Sequence, residues 1–121
     1  MTASLGPTAL ALAFLAAWNE PDPDTREAAL TALLAPGLRY ADPHLPALLE
    51  GTDAYLAQLR RWRERFPGLR AEPTAAFQYH QGFVLIPWRM LRPDGAVHQA
   101  GQWVIERDEH GRIRLLVMFE A

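Results

Sequence analysis

The chain lacks the usual nucleophiles of covalent catalysis: it has no cysteine and no lysine, and its only serine is Ser4, in the N-terminal leader. Disulfide and thiolate chemistry, a lysine Schiff base and a serine nucleophile are therefore excluded or nearly so. What remains is acid–base chemistry by Asp, Glu, His or Tyr, or ligand binding without reaction. Basic charge is not in excess either. Twelve basic residues face 14 acidic ones, for a formal net charge of −2, which leaves no broad cationic field of the kind that grips nucleic acid, so none is expected as a partner. Long apolar runs are missing as well. The stretch from Ala9 to Ala17 is too short to span a bilayer and has neither the basic start nor the cleavage site of a secretion signal. A cytoplasmic protein with no membrane partner is the expectation.

What is present fits one domain over residues 1–121, half of them apolar and able to bury a core without disulfides or metals. Leu10, Phe14 and Trp18 recur every fourth position and predict a first helix, ended by Asn19 and the run Pro21 to Pro23. Asp24 and Glu27 have capping-box spacing, with Asp22 before Pro23 as a rival cap, and Leu30, Leu33 and Leu34 line a second helix stopped by Pro36-Gly37. Gly51-Thr52 opens a third, with Tyr55, Leu56, Leu59, Trp62 and Phe66 on one side and Arg60, Arg61, Arg63 and Arg65 on the others, closed by Pro67-Gly68. Arg61 and Arg65, with Arg60 and Glu64, read as an exposed charged face before they read as an anion site.

From Leu69 the period changes from 3.6 to 2. Turns at Gln81-Gly82, Pro93-Asp94-Gly95 and His110-Gly111 separate four antiparallel strands near 71–80, 83–91, 97–107 and 112–119, with 38–41 as a short extra strand. Helices first and sheet afterwards is an α+β arrangement, helices covering one face of a curved sheet. Gln99, Gly101, Trp103 and Ile105 share one face of their strand, and Val84, Ile86, Trp88 and Met90 one face of theirs. If both sets point inward, Trp18, Trp62, Trp88 and Trp103 converge on one interior, either as the lining of a pocket for a flat apolar molecule or as core filling. A cavity of about 300 Å³ or more separates the two.

The chemistry-bearing segment is Leu38-Arg39-Tyr40-Ala41-Asp42-Pro43-His44, which sets a carboxylate and an imidazole at the end of a strand. Asp42 is the candidate general base, Tyr40 on the same strand face a hydrogen-bond donor, and His44 a proton partner or water-orienting group. The competing reading gives Asp42 an Asx turn ahead of Pro43 and leaves His44 in a solvated loop. His80 and His98 share strand parities that point outward, and His110 sits in a turn. No HxH or HExxH spacing supports a metal trio of His44, His80 and His98, so neither metal nor cofactor is expected.

Phe14-Leu15-Ala16-Ala17-Trp18-Asn19, Leu33-Leu34-Ala35, Tyr40-Ala41-Asp42-Pro43, Gly51, Phe66-Pro67-Gly68-Leu69-Arg70, Trp88 and Gly111-Arg112-Ile113 together resemble the SnoaL-like branch of the nuclear transport factor 2 superfamily over almost the whole chain. The resemblance implies a cone-shaped α+β barrel, usually dimeric, in a superfamily of ketosteroid isomerases, polyketide cyclases, epoxide hydrolases, dehydratases and members without known reaction. In the isomerase pattern, an Asp before Pro on this strand is the base, and Asp42 matches it. The oxyanion donors of that pattern fall on Phe14 and Trp103; Phe14 donates nothing and Trp103 offers an indole N–H, which argues against steroid isomerisation. Val117 and Met118 stand near the final-strand Trp and acidic residue common in SnoaL-like proteins, making that wall less polar.

Two functions follow from different classes. One is an acid–base isomerase, cyclase, dehydratase or hydrolase acting on a small apolar cyclic compound, with Asp42, His44 and Tyr40 catalytic and Phe14, Trp18, Trp62, Trp88, Gln99, Trp103 and Met118 around the ligand. The other is a non-catalytic ligand-binding or dimerisation module. Phe83, Leu85 and Leu91, alternating with the inward set, predict a homodimer through the outer sheet face.

Overall fold

The computed structural model describes residues 5–121, so Ser4 lies outside the described residues. Helix α1 (Pro7–Asn19) starts with proline at a position whose missing N–H costs nothing. Its stripe of Leu10, Phe14 and Trp18 is at most 2% exposed. Asn19 ends it usefully: its amide donates to the Ala71 carbonyl at 2.8 Å and accepts from the Ala71 N–H at 2.7 Å, tying the helix to the sheet.

Helix α2 (Pro23–Leu33) is capped by Asp22, whose Oδ2 accepts from the Thr25 N–H at 2.8 Å. The Asp24–Glu27 pair does not cap. Pro23 fixes the first helical residue directly after Asp22, and Asp24 and Glu27 instead reach across to Arg60 of α3. The helix ends at Leu33, before Pro36-Gly37, and the chain passes straight into β1 (Leu34–Ala41). Pro36-Gly37 lie inside a bulge of that strand, between the pairings Leu34 with Ile113 and Arg39 with Leu115, where a residue without an N–H is tolerated.

A two-residue strand not foreseen from sequence, β2 (Leu49–Glu50), pairs with β1 before Gly51, at φ +93, opens α3 (Thr52–Arg65). The predicted strand over 71–80 is two pieces, β3 (Arg70–Pro73) and β4 (Gln78–His80), both antiparallel to β5 (Phe83–Leu91) and separated at Pro73, which cannot continue the ladder. β6 (Val97–Arg107) and β7 (Ile113–Glu120) complete the sheet. Strand order is β2-β1-β7-β6-β5-β3, all antiparallel except β1 with β7.

The three helices fill the concave side of this curved sheet, giving an α+β cone. Registered rows Val84–Ile105–Leu116 and Ile86–Trp103–Met118 face them, which settles the strand parity. Trp88 sits opposite Gly101, and the glycine is required there: a Cβ would lie 2.9 Å from Trp88 Cζ2 and 2.0 Å from the Phe119 carbonyl oxygen. His98 departs from the outward expectation. Met90 pairs with Gln99 but Leu91 with Val97, so His98 is the extra residue of a bulge and turns inward, its ring 4.6 Å from Phe66 and 5.9 Å from Trp62. His80 is exposed. Among the described residues no helix is long and apolar enough to cross a membrane.

Candidate functional site

Alternation along β1 buries Leu38 and Tyr40 on the concave side and brings Asp42 to the same side where the strand ends. The Tyr40 hydroxyl, 6% exposed as a residue, donates to Asp42 Oδ2 at 2.6 Å. The His44 backbone N–H donates to Asp42 Oδ1 at 2.6 Å. The Asx turn and the inward carboxylate are thus one arrangement and not alternatives: the turn fixes the carboxylate that Tyr40 holds from the other side. The His44 imidazole does not touch Asp42. It is half exposed, pairs with Glu120, and stacks on Trp62 with centroids 5.8 Å apart.

Tyr55 of α3 lies against Tyr40, rings 4.7 Å apart, and is 3% exposed. Burial pushes both phenols well above their ordinary range; the neighbouring Tyr55 and the bond to Asp42 add to this for Tyr40, and the Asp42 charge adds to it for Tyr55. Both therefore remain O–H donors across the working pH range. Tyr40, Asp42, Tyr55, Gln58 and His44 form a polar wall of one hollow, and Trp18, Leu59, Trp62, Met90, Trp103 and Met118 form the apolar remainder.

The hollow measures about 30 Å³. That accommodates one or two waters and falls an order of magnitude short of the volume that separated a pocket from a filled core. In this conformation the rings largely fill the cone.

Seven of the residues singled out from sequence meet here: Asp42, His44, Tyr40, Trp18, Trp62, Trp103 and Met118. Three do not line the hollow. Phe14 packs edge-on against Trp103 at 5.1 Å, and Trp88 backs the same indole at 5.0 Å, both without exposure. The Gln99 amide donates to Glu120. Tyr55, Gln58, Leu59 and Met90 were missed as lining, although Tyr55, Gln58, Leu59 and Trp62 share one α3 face at i, i+3, i+4 and i+7 spacing, which was the available signal.

Not every arginine of α3 is solvated. Arg63 is 7% exposed, donates to the Trp18 carbonyl at 2.8 Å, and lies 4.6 Å from the Trp18 ring; burial pulls its pKa down to about 10. It closes the C-terminal end of α1, where free carbonyls attract a cation. Among the described residues no group of three or more His, Asp or Glu is placed to hold a metal ion.

A helix-filled cone of this topology is the nuclear transport factor 2-like arrangement. Within it, residues 11–116 match the SnoaL-like domain, and the chain belongs to that family. A candidate isomerase of the SnoaL-like family from Agrobacterium tumefaciens superposes with a TM-score of 0.87 at 31% identity, over 95% of this chain and 97% of that one. A SnoaL-like protein of unknown function from Burkholderia thailandensis gives 0.77 at 20% identity over 95% and 94%. A candidate SnoaL-like polyketide cyclase from Jannaschia gives 0.74 at 17% over 98% and 90%. The last two are likenesses of fold. No curated protein matches the chain in sequence.

Proposed function

We propose that this SnoaL-like protein is an acid–base enzyme, an isomerase, cyclase or hydrolase acting on a small apolar cyclic compound, with Asp42 as general base. The observation that carries this reading is the Asp42 carboxylate, fixed by donors on both oxygens in the polar wall of a hollow whose other side is apolar. Each carboxylate oxygen keeps a lone pair for a substrate proton. Asp42 takes that proton from a C–H made acidic by an adjacent carbonyl, or from a water. Tyr55 and the Trp103 indole N–H, in the same lining, are the donors for the negative charge that develops on the substrate oxygen. Similarity at 31% identity to a candidate isomerase supports the reaction class.

Substrate enters by displacement of the half-buried Trp62 and the His44 loop, since the remaining rings of the wall are buried. Asp42→Asn, which preserves the Asx turn, is expected to lower turnover by about 10²-fold or more while the melting temperature stays nearly constant. A folded variant with an unchanged rate contradicts the proposal.

The filled cone favours a second reading, a non-catalytic dimerisation or binding module. The two separate on the same variant, since a module has no rate to lose. Both use the convex face, where Leu85, Val104 and Val117 pair in one row and Phe119 is 53% exposed. A second copy covering this row is proposed, and light scattering at micromolar concentration is expected to give a dimer; a monomer refutes it.

A further inference from the structure

A second hollow of about 340 Å³ opens beside the first, lined by Arg65, Phe66, Pro67, Leu69, Arg92, Pro93, Asp94 and His98. Trp62 lines the inner hollow, and its ring meets two residues of the outer one, Phe66 at 4.6 Å and His98 at 5.9 Å. The groove is built from two turns pressed together. Gly68, at φ +78, packs against Pro93 so closely that a Cβ there would lie 2.6 Å from the proline Cγ. The hairpin closed by Arg92 N–H to Ala96 O at 2.8 Å then fixes the strand end from which Arg92 projects.

The charges of this groove are unbalanced. Arg65 lies 5.2 Å from the Phe66 ring centroid, and the Arg92 guanidinium donates to His98 Nδ1 at 3.4 Å, yet among the described residues neither arginine has a carboxylate within ion-pair distance. Asp94, the one acid in the lining, has Oδ1 engaged with the Ala96 N–H at 2.8 Å. His98 accepts from Arg92 at Nδ1, which leaves its proton on Nε2 as a further donor. Its pKa is lowered by burial first and then by Arg92, so it remains neutral at physiological pH. Two guanidiniums and an imidazole N–H around an aromatic floor match a planar carboxylate attached to a flat apolar body, which the fork geometry of arginine binds in a way that a lone ammonium does not.

We propose that this groove binds the carboxylate of a small aromatic or alicyclic acid, whose apolar body packs on Phe66 and Trp62. The groove is a binding site in its own right. The extension that the same acid is the substrate, its ring passing Trp62 to reach Asp42, rests on the proposed function above.

Calorimetric titration of the full chain with naphthalene-1-carboxylate, with its neutral carboxamide and with inorganic phosphate tests this. The carboxylate is expected to bind at least about tenfold more tightly than the amide, a ratio readable directly from the two dissociation constants, and more tightly than phosphate. In Arg65→Gln/Arg92→Gln that preference is expected to vanish while the melting temperature stays unchanged, because both side chains are exposed. Equal binding of acid and amide, no binding of the acid, or an unchanged preference in the double variant overturns the proposal. Phosphate binding as tightly as the acid overturns the assignment to an apolar acid. Asp42→Asn separates the two claims: it is expected to retain the acid with unchanged affinity, so lost turnover with kept binding supports both, and kept turnover sinks the catalytic reading alone.

Discussion

The inner hollow holds Asp42, Tyr40 and Tyr55 but offers about 30 Å³, whereas the outer groove offers about 340 Å³ and holds two arginines against one acid, Asp94. The candidate proton-transfer groups and the room for a ligand thus lie in different places, joined through the Trp62 ring. The inner side is nearly closed because β5, β6 and β7 present buried rows to the helices, and Trp88 packs behind Trp103 to stiffen that wall. The outer side is open because it is made of turns, whose polar backbone keeps them at the surface. The proposed reaction therefore needs both hollows, since one is too small to bind a ligand and the other holds no candidate base.

The largest structural effect is expected from breaking the stiff wall. Gly101→Ala places a methyl group where the Phe119 carbonyl and Trp88 already are, and backbone has to move to admit it; a loss of about 3 kcal/mol or more in urea unfolding is expected. If the variant is as stable as wild type, the inner wall is soft and the small volume of the hollow loses its meaning.

A smaller effect concerns the phenols. Tyr40 and Tyr55 both have folded pKa values above the unfolded value of about 10. Above that pH the native state binds more protons than the unfolded chain, so their contribution is complete below pH ~10 and is lost as pH rises further. Absorbance at 295 nm is expected to show these two phenolates only together with unfolding. Early ionisation of all three tyrosines in folded protein would place the Asp42 wall in solvent.

How much of this was legible differs along the chain. The period-4 stripe of Leu10, Phe14 and Trp18 and the period-2 alternation of β5 and β6 were readable, but which face of β5 points inward was not, because Phe83, Leu85 and Leu91 make its other face apolar as well. The β6 bulge was not: an inserted residue breaks parity without changing composition, so His98 read as outward. Arg63 likewise read as part of a charged face, since its partner is a backbone carbonyl that no sequence pattern marks. At the site, Tyr40-Ala41-Asp42-Pro43 was enough to find the carboxylate. Sequence could not show that the turn and the inward carboxylate coexist, because that depends on Tyr40 reaching Oδ2. Nor could it show the volume left among four tryptophans, which depends on how the rings stack.

The most direct test asks whether the indole between the two hollows moves. Protein labelled with 5-fluorotryptophan carries four ¹⁹F reporters: Trp18, Trp88 and Trp103 at 2% exposure or less, and half-buried Trp62. With resonances assigned by Trp→Phe variants, titration with naphthalene-1-carboxylate is predicted to shift or broaden the Trp62 signal most, with Trp103 following as the inner wall is reached and Trp88 unmoved. Saturable binding that leaves the Trp62 resonance in place would contradict a route from the groove to Asp42.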